Sequence, residues 1–129
     1  MKDEKERQKD LKVRTKEFAL QIIRLYSSLS KTTVAQVLGR QLLRSGTSVD
    51  AHYYEAQRAK SNADFISKIE GALQELDETI YWLELLESSG FIATERLNSI
   101  NKEINELISI FVSIVKAVKS RSKSENQKQ

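Results

Sequence analysis

A histidine and a glutamate three residues apart form the pair whose types and spacing point most directly to metal chemistry. His52 and Glu55 read H-x-x-E, and this spacing places both side chains on one face of a helix. Pairs in the reverse order, E-x-x-H, ligate iron in four-helix bundles, but a dinuclear site needs two of them and further carboxylates. Because His52 is the only histidine, the sequence predicts no metal site within one subunit. A metal shared between subunits is the less favoured alternative.

Five polar residues that include this pair follow one helical face at steps of 4, 3, 4 and 3. Side chains at these spacings can hydrogen-bond to one another or to a facing helix, which would fix helix register and oligomer geometry. We therefore interpret the histidine as structural, within a polar ladder formed by Gln41, Ser45, Ser48, His52 and Glu55.

Nucleophilic chemistry has little support in the sequence. The chain has no cysteine, which excludes thiolate nucleophiles, thiolate metal sites and disulfides. Serines are plentiful, but a Ser–His pair needs an orienting acid and an oxyanion hole in a concave pocket. Uniform helices with short loops do not supply these, and the chain has no glycine-rich phosphate loop. The sequence thus predicts a protein that is not an enzyme and needs no cofactor.

The elements that must position these residues are four long helices. The 129 residues include four glycines and no proline, and this composition favours uninterrupted helices. Apolar residues recur at steps of 3 and 4, which predicts helices over residues 11–29 and 33–60 and two further helices of similar length. The connections are only a few residues long, so successive helices lie antiparallel. We predict an all-α, up-down-up-down four-helix bundle.

Cap residues set the predicted bounds of the later helices. Ser61 or Asn62 is placed to cap the third helix, Gly90 to stop it, and Thr94 to cap the fourth. The chain then divides into three parts: a charged N-terminal extension (1–10), the bundle (11–120) and a disordered basic tail (121–129).

The stretch "RSGTS" at residues 44–48 looks like a loop but falls inside the second helix. A buried seam keeps its helical steps through this stretch without a slip, so we predict one continuous helix, with Gly46 lying off the seam. The seam comprises Leu38, Leu42, Ser45, Val49, His52, Ala56 and Ala59.

The third and fourth helices carry more apolar residues than one bundle face requires. A monomeric bundle needs an apolar arc of about 100° per helix. Wider arcs favour a homo-oligomer, although single apolar residues are also commonly exposed on monomers. The candidate interface residues are Ile66, Leu73, Trp82, Ile108, Val112 and Val115.

Charge is distributed unevenly along the chain. Residues 1–61 carry 13 basic and 7 acidic side chains, residues 62–99 carry 2 and 8, and residues 100–129 carry 6 and 3. In the predicted topology the basic segments meet at one end of the bundle, which suits contact with a phosphate backbone. Ordinary solvated helix ends are the alternative, because acidic residues interleave with the lysines. The candidate contacts are Lys5, Lys9, Lys12, Arg58, Lys60, Lys116, Lys119 and Arg121.

Three segments resemble the signature of a bacterial four-helix-bundle family, that of the 23S rRNA intervening-sequence protein. They are "RSGTSVDAHYYEA" (44–56), "DFISKI" (64–69) and "ETIYWLELL" (78–86). The expected family pattern is R-S-G-T-S-[IV]-x-A-N-Y-x-E-A, then D-F-x-x-K-[IL], then E-T-x-Y-W-L-x-L-L. His52 departs from it, since the family usually has Asn there, so an imidazole takes the place of that amide in the polar ladder.

The resemblance implies a closed homo-oligomer, with pentameric rings known in the family. A related branch, the accessory variability determinant of diversity-generating retroelements, is a basic pentameric barrel that binds a reverse transcriptase and nucleic acid. Other members are encoded within insertions in 23S rRNA genes. The family supplies no established catalytic residues.

We therefore expect a non-enzymatic, ring-forming four-helix bundle that acts as a nucleic-acid-associated scaffold or accessory protein. The alternative is a protein-binding adaptor whose basic end meets an acidic partner. The N-terminal segment "MKDEKERQKD" is charged and lacks an apolar core, so it resembles neither a secretory signal nor a membrane anchor. We expect a soluble cytoplasmic protein with no membrane contact.

Overall fold

Four α-helices make up the part of the chain that the computed structural model describes, which is the backbone of residues 2–127 and the side chains of residues 2–124. They are α1 (Glu4–Ser27), α2 (Thr33–Ala56), α3 (Asn62–Ser88) and α4 (Asn98–Gln127). No strand occurs within residues 2–127, which confirms the predicted all-α class. Each helix packs against the next one in the sequence, and all four contribute to one apolar core.

Helix α1 begins within the predicted N-terminal extension. The carboxylate of Asp3 accepts a hydrogen bond from the backbone N–H of Glu6 at 2.8 Å, and so caps the helix at Glu4. The negative charges of Glu4 and Glu6 in the first turn also interact favourably with the positive end of the helix dipole. Residues 4–10 are therefore a helical continuation of the bundle.

The cap and stop predicted for α3 are both confirmed. The Ser61 hydroxyl accepts from the N–H of Asp64 at 3.0 Å, and the Asp64 carboxylate accepts from the N–H of Lys60 at 3.3 Å. At the other end Gly90 has a φ of +80°, and the N–H of Phe91 bonds to the carbonyl of Leu86 at 2.9 Å. This closure requires a left-handed residue after the last turn, a role that suits glycine.

The bounds of α2 and α4 differ from the prediction. Helix α2 ends at Ala56 and not at residue 60, because the chain must turn before Ser61 caps α3. Thr94 does not cap α4: residues Thr94–Leu97 form a 3₁₀ turn, and α4 begins at Asn98.

Helix α4 also runs past residue 120, where the bundle was predicted to end. It continues to Gln127 through the segment predicted as a disordered tail, while residues 128 and 129 of that segment lie outside the described residues. The segment 121–127 contains no proline or glycine, and its Arg, Lys, Glu and Gln residues are good helix formers.

The buried face of α2 is broader than the predicted seam. Leu42, Ser45 and Val49 are fully buried as predicted, but Leu38 and His52 are only half-buried. Helix α2 lies between α1 and α3, so it is covered on two sides rather than one. The buried residues that the seam omitted are Ala35, Gly39, Gly46 and Tyr53.

Gly46 was predicted to lie off the seam, and that prediction is wrong. Gly46 is buried against α1, and a Cβ added to it would lie 2.7 Å from both Cγ1 and Cγ2 of Ile22. Gly39, seven residues earlier, meets Leu29 and Tyr26 in the same way, with Leu29 Cδ1 at 2.6 Å. These two glycines allow α1 and α2 to pack more closely than any side chain would permit.

None of the helices in residues 2–127 combines the length and apolar character that crossing a membrane requires.

Candidate nucleic-acid interface

Three tertiary contacts gather the basic segments at one end of the bundle. The Tyr53 hydroxyl at the end of α2 donates to the carbonyl of Gln8 near the start of α1, at 3.2 Å. The side-chain amide of Asn62 donates to the Ser122 hydroxyl at 2.9 Å, which joins the start of α3 to the end of α4. Arg121 lies 3.9 Å from Glu4, which joins α4 to α1. We call this region the basic end.

All the candidate contact residues are exposed at the basic end or beside it. None of them is drawn into the core, and the described side chains leave each of them open to solvent. They are Lys5, Lys9, Lys12, Arg58, Lys60, Lys116, Lys119 and Arg121.

The charges of α1 separate around the helix although they interleave along the sequence. Lysines at steps of 4, 3 and 4 share one exposed face, which we call the α1 lysine face: Lys5, Lys9, Lys12 and Lys16. The carboxylates of Glu6, Asp10 and Glu17 centre on a different face, about 110° around the helix from the centre of the lysine face, and Glu6 comes nearest to it, about 60° from Lys9. The acidic residues that alternate with these lysines in the sequence therefore do not neutralise the charge of the α1 lysine face.

Helix α4 contributes a second basic stripe. Lys116, Lys119 and Lys123 step by 3 and 4 and are exposed, and we call them the α4 lysine face. Lys119 lies 3.9 Å from Glu70 of α3, at the limit of an ion pair, with both side chains more than half exposed. Exposed pairs of this kind contribute little energy, so Lys119 stays available for a stronger anionic partner.

Sequence reasoning missed Lys16, and it placed Lys123 at the basic end without including it among the candidate contacts. Both share the helical spacing of the candidates that were found, so the 3-and-4 spacing was the signal that would have included them.

A stacked aromatic and cationic pair lies at the end of α2. The guanidinium carbon of Arg58 lies 3.8 Å from the ring centroid of Tyr54, and an Arg58 N–H donates to the Tyr54 carbonyl at 3.3 Å. The Tyr54 side chain is 51% exposed. An i, i+4 pair on a helix places these side chains next to each other.

The members of the predicted polar ladder do not bond to one another within the described residues, but two of them, Ser45 and Glu55, bond to the facing helix. The buried hydroxyls of Ser45 and Thr79 lie 2.9 Å apart and join α2 to α3. Ser48 donates to the carbonyl of Arg44 in its own helix at 2.6 Å, and Gln41 is exposed. Ion pairs also reach the facing helix, and one of them starts from Glu55.

Two ion-pair groups and the buried hydroxyls join α2 to α3. Arg44 bonds to Glu78 at 2.6 Å and to Glu75 at 3.2 Å, and the hydrogen bond to Glu78 raises the pKa of Arg44. Glu55 lies 3.3 Å from Lys68.

His52 packs over the backbone of α3. A Cβ added to Gly71 would lie 2.7 Å from Cε1 and 2.8 Å from Nδ1 of the imidazole ring. The Nδ1 atom is buried and has no hydrogen-bond partner among the described residues. Glu55 is exposed and paired with Lys68, and no three His, Asp or Glu side chains within the described residues are grouped to hold a metal ion. Within one subunit, His52 thus contributes to the packing of α2 on α3, and Glu55 contributes an ion pair between the same helices.

Replacing Gly71 by Ala is expected to stabilise the protein without the imidazole ring but not with it. In a His52→Ala background the change should raise the free energy of unfolding by about 1 kcal/mol, because Ala has the higher helix propensity. With His52 present the ring must move, and the gain should vanish or reverse. Urea unfolding of the four proteins of this cycle measures the coupling. Equal effects in both backgrounds would rule out the described contact.

The candidate interface residues occupy two kinds of position. Val115 is 8% exposed and belongs to the core, next to Phe111 along the α4 stripe, so it contributes nothing to a surface. Val112 is half-buried. The other four pack against the core while keeping part of their surface open: Ile66, Leu73, Trp82 and Ile108. The large apolar residues that are exposed are others, namely Val13, Ile23, Val34, Val37, Tyr54 and Tyr81.

Helices α1 and α4 are joined by a charged clasp. Arg14 donates to both Glu103 oxygens, at 2.5 and 3.2 Å, and to Glu106 at 3.3 Å. The hydrogen bond to Glu103 raises the pKa of Arg14. An open polar groove beside this clasp is lined by Gln21, Lys102 and Glu106, among others, and offers no enclosed pocket for a substrate.

Comparison with known proteins decides the family. The sequence profile described as 23S rRNA-intervening sequence protein matches residues 8–126, nearly the whole chain. The chain belongs to this family. The resemblance drawn from the segments at 44–56, 64–69 and 78–86 is thereby confirmed.

A protein whose crystal structure is known has a similar fold. It is a protein of unknown function from the S23 ribosomal protein family of Bacteroides thetaiotaomicron, and it is 44% identical to this chain. The similarity covers 81% of this chain and 97% of that one, with a TM-score of 0.77. None of the curated proteins matches the chain. Membership of the 23S rRNA-intervening sequence family therefore establishes descent and fold, while function is inferred from the surface.

Proposed function

We propose that this protein is a non-enzymatic scaffold that binds nucleic acid through the phosphate backbone at its basic end. One observation carries the proposal: the α1 and α4 lysine faces and the α2–α3 connection converge there, held by the contacts Tyr53–Gln8 and Asn62–Ser122. A concentrated set of exposed lysines attracts a polyanion and displaces its counterions.

The chemistry of the basic end suits backbone contact rather than base recognition. Lysine is a flexible point charge that binds phosphate without reading sequence. The lysines of the α1 lysine face repeat at helical spacing, with Cβ atoms about 5–6 Å apart. This arrangement supports affinity for many sequences and a strong dependence on salt.

The proposal includes a closed homo-oligomer, for which the family resemblance implies a pentamer. Exposed apolar residues on α1 and α2 are available for such contacts, since Val13, Val34 and Val37 are each at least half exposed. Repeating the basic end around a ring would multiply its contacts with one strand. The family context favours a role as an accessory protein of a reverse transcriptase or an association with rRNA.

Light scattering with mass determination tests the ring, and a monomer would contradict it.

Binding of RNA by the purified protein tests the function. We expect a mixed-sequence RNA to bind at low ionic strength and to be released as salt is raised, because counterion release drives the association. Fluorescence anisotropy of labelled RNA is the measurement. No binding at low ionic strength would reject the nucleic-acid role and favour an adaptor that binds an acidic protein.

A further inference from the structure

The Tyr54–Arg58 pair presents a flat surface at the basic end. The guanidinium lies 3.8 Å from the ring centroid and is also tied to the Tyr54 carbonyl at 3.3 Å. Half of the Tyr54 side chain remains open to solvent. The pair is therefore held in a stacked arrangement before any ligand arrives, which reduces the entropy lost on binding.

Two contacts place this pair alongside the α1 lysine face. The Tyr53 hydroxyl donates to the Gln8 carbonyl at 3.2 Å, and one turn earlier Asp50 accepts from the Thr15 hydroxyl at 2.8 Å. These bonds fix the end of α2 against the first turns of α1. Tyr54 follows Tyr53 directly, and Arg58 follows one turn later. Because Tyr54 lies four residues after Asp50, it is on the side of α2 that faces α1. The exposed surface of the α1–α2 pair thus carries the lysines on α1 and the stacked pair at the end of α2.

We propose that this surface binds single-stranded nucleic acid, with phosphates on the α1 lysine face and a base stacked on the Tyr54–Arg58 pair. This inference rests on the proposed function and narrows its ligand. Unpaired bases expose their flat faces and stack on tyrosine rings and guanidinium planes. In a duplex those faces are already stacked on neighbouring bases, so a duplex can use only the lysines.

The test compares single strands with a duplex at one salt concentration. The probes are a mixed-sequence RNA of about 16 nucleotides, its DNA counterpart and the RNA duplex, a length at the upper end of the usual site size of one binding module. We expect Tyr54→Leu to weaken binding of both single strands about tenfold and to leave duplex binding nearly unchanged. Tyr54→Phe keeps an aromatic face and should bind as the unmodified protein does.

Two further variants isolate the stacking contribution. Arg58→Lys keeps the charge but loses the plane, so it should also weaken single-strand binding selectively. Tyr81 is as exposed as Tyr54, at 53%, but lies on α3 beside Trp82, away from the lysine faces. Tyr81→Leu is therefore the matched control and should change neither affinity.

The outcomes separate this inference from the proposed function. Selective loss of single-strand binding in Tyr54→Leu supports the inference. Preference for the duplex, or the same affinity with and without Tyr54, would overturn the inference and leave backbone binding in place. Absence of binding to all three probes would overturn both.

Discussion

Replacement of Gly46 by Leu is expected to lower the free energy of unfolding by about 3 kcal/mol or more. The first added carbon alone would lie 2.7 Å from two atoms of Ile22, which is fully buried and branched at Cβ. Adding carbon to a packed core usually costs about 1–3 kcal/mol per change, and Leu adds four carbons here. Urea unfolding followed by circular dichroism measures the loss.

The matched control for Gly46→Leu is Ala51→Leu. Ala51 lies on the exposed side of the same helix, so its change should alter stability by about 0.5 kcal/mol or less. Gly46→Ala should fall between the two, since its helix propensity gains about 1 kcal/mol against the clash. If Gly46→Leu were as stable as Ala51→Leu, α1 could not pack on α2 through Ile22 as described.

Neutralising the α1 lysine face is expected to reduce RNA affinity by roughly a hundredfold at moderate salt. The change replaces Lys5, Lys9, Lys12 and Lys16 by Gln, which removes four cations while keeping helix-forming side chains. Because all four are exposed, the free energy of unfolding should change little. Anisotropy titration of the variant against labelled single-stranded RNA gives the ratio of affinities.

A charge-matched variant at the opposite end of the bundle distinguishes the contribution of the basic end to RNA affinity from that of the net charge. Arg24, Lys31, Arg40 and Arg96 are exposed there, at the end of α1, before and within α2, and before α4. Changing these four to Gln alters the net charge equally but should weaken binding much less. Equal losses in both variants would mean that RNA responds to overall charge and not to the basic end.

Features of the fold that depend on local signals followed from the sequence. Ser61 and Gly90 act through bonds to residues within a few positions, so their types alone indicated a helix start and stop. The burial of Gly46 depends on how α2 sits between two neighbouring helices. A single helical seam cannot represent a helix covered on two sides, which explains why Gly46 was placed off it.

The candidate site also combines features that follow from the sequence with features that depend on the three-dimensional structure. Charge counting located the basic end, because short connections determine which helix ends meet. It did not reveal that Glu6 and Asp10 turn away from the lysines, which requires knowing that α1 begins at Glu4. The stacking of Arg58 on Tyr54 depends on side-chain conformation. The four-residue spacing of the two side chains was the signal in the sequence that indicated it.

Salt dependence of RNA binding by the unmodified protein tests the central claim most directly. If the lysines of the basic end bind phosphates, the logarithm of the affinity should fall linearly with the logarithm of salt concentration. Each phosphate contact to a single strand contributes about 0.7 to the slope, so contacts from the four lysines of the α1 lysine face predict a slope of about −3 or steeper. An affinity that does not change with salt, or no binding at the lowest ionic strength, would contradict the account.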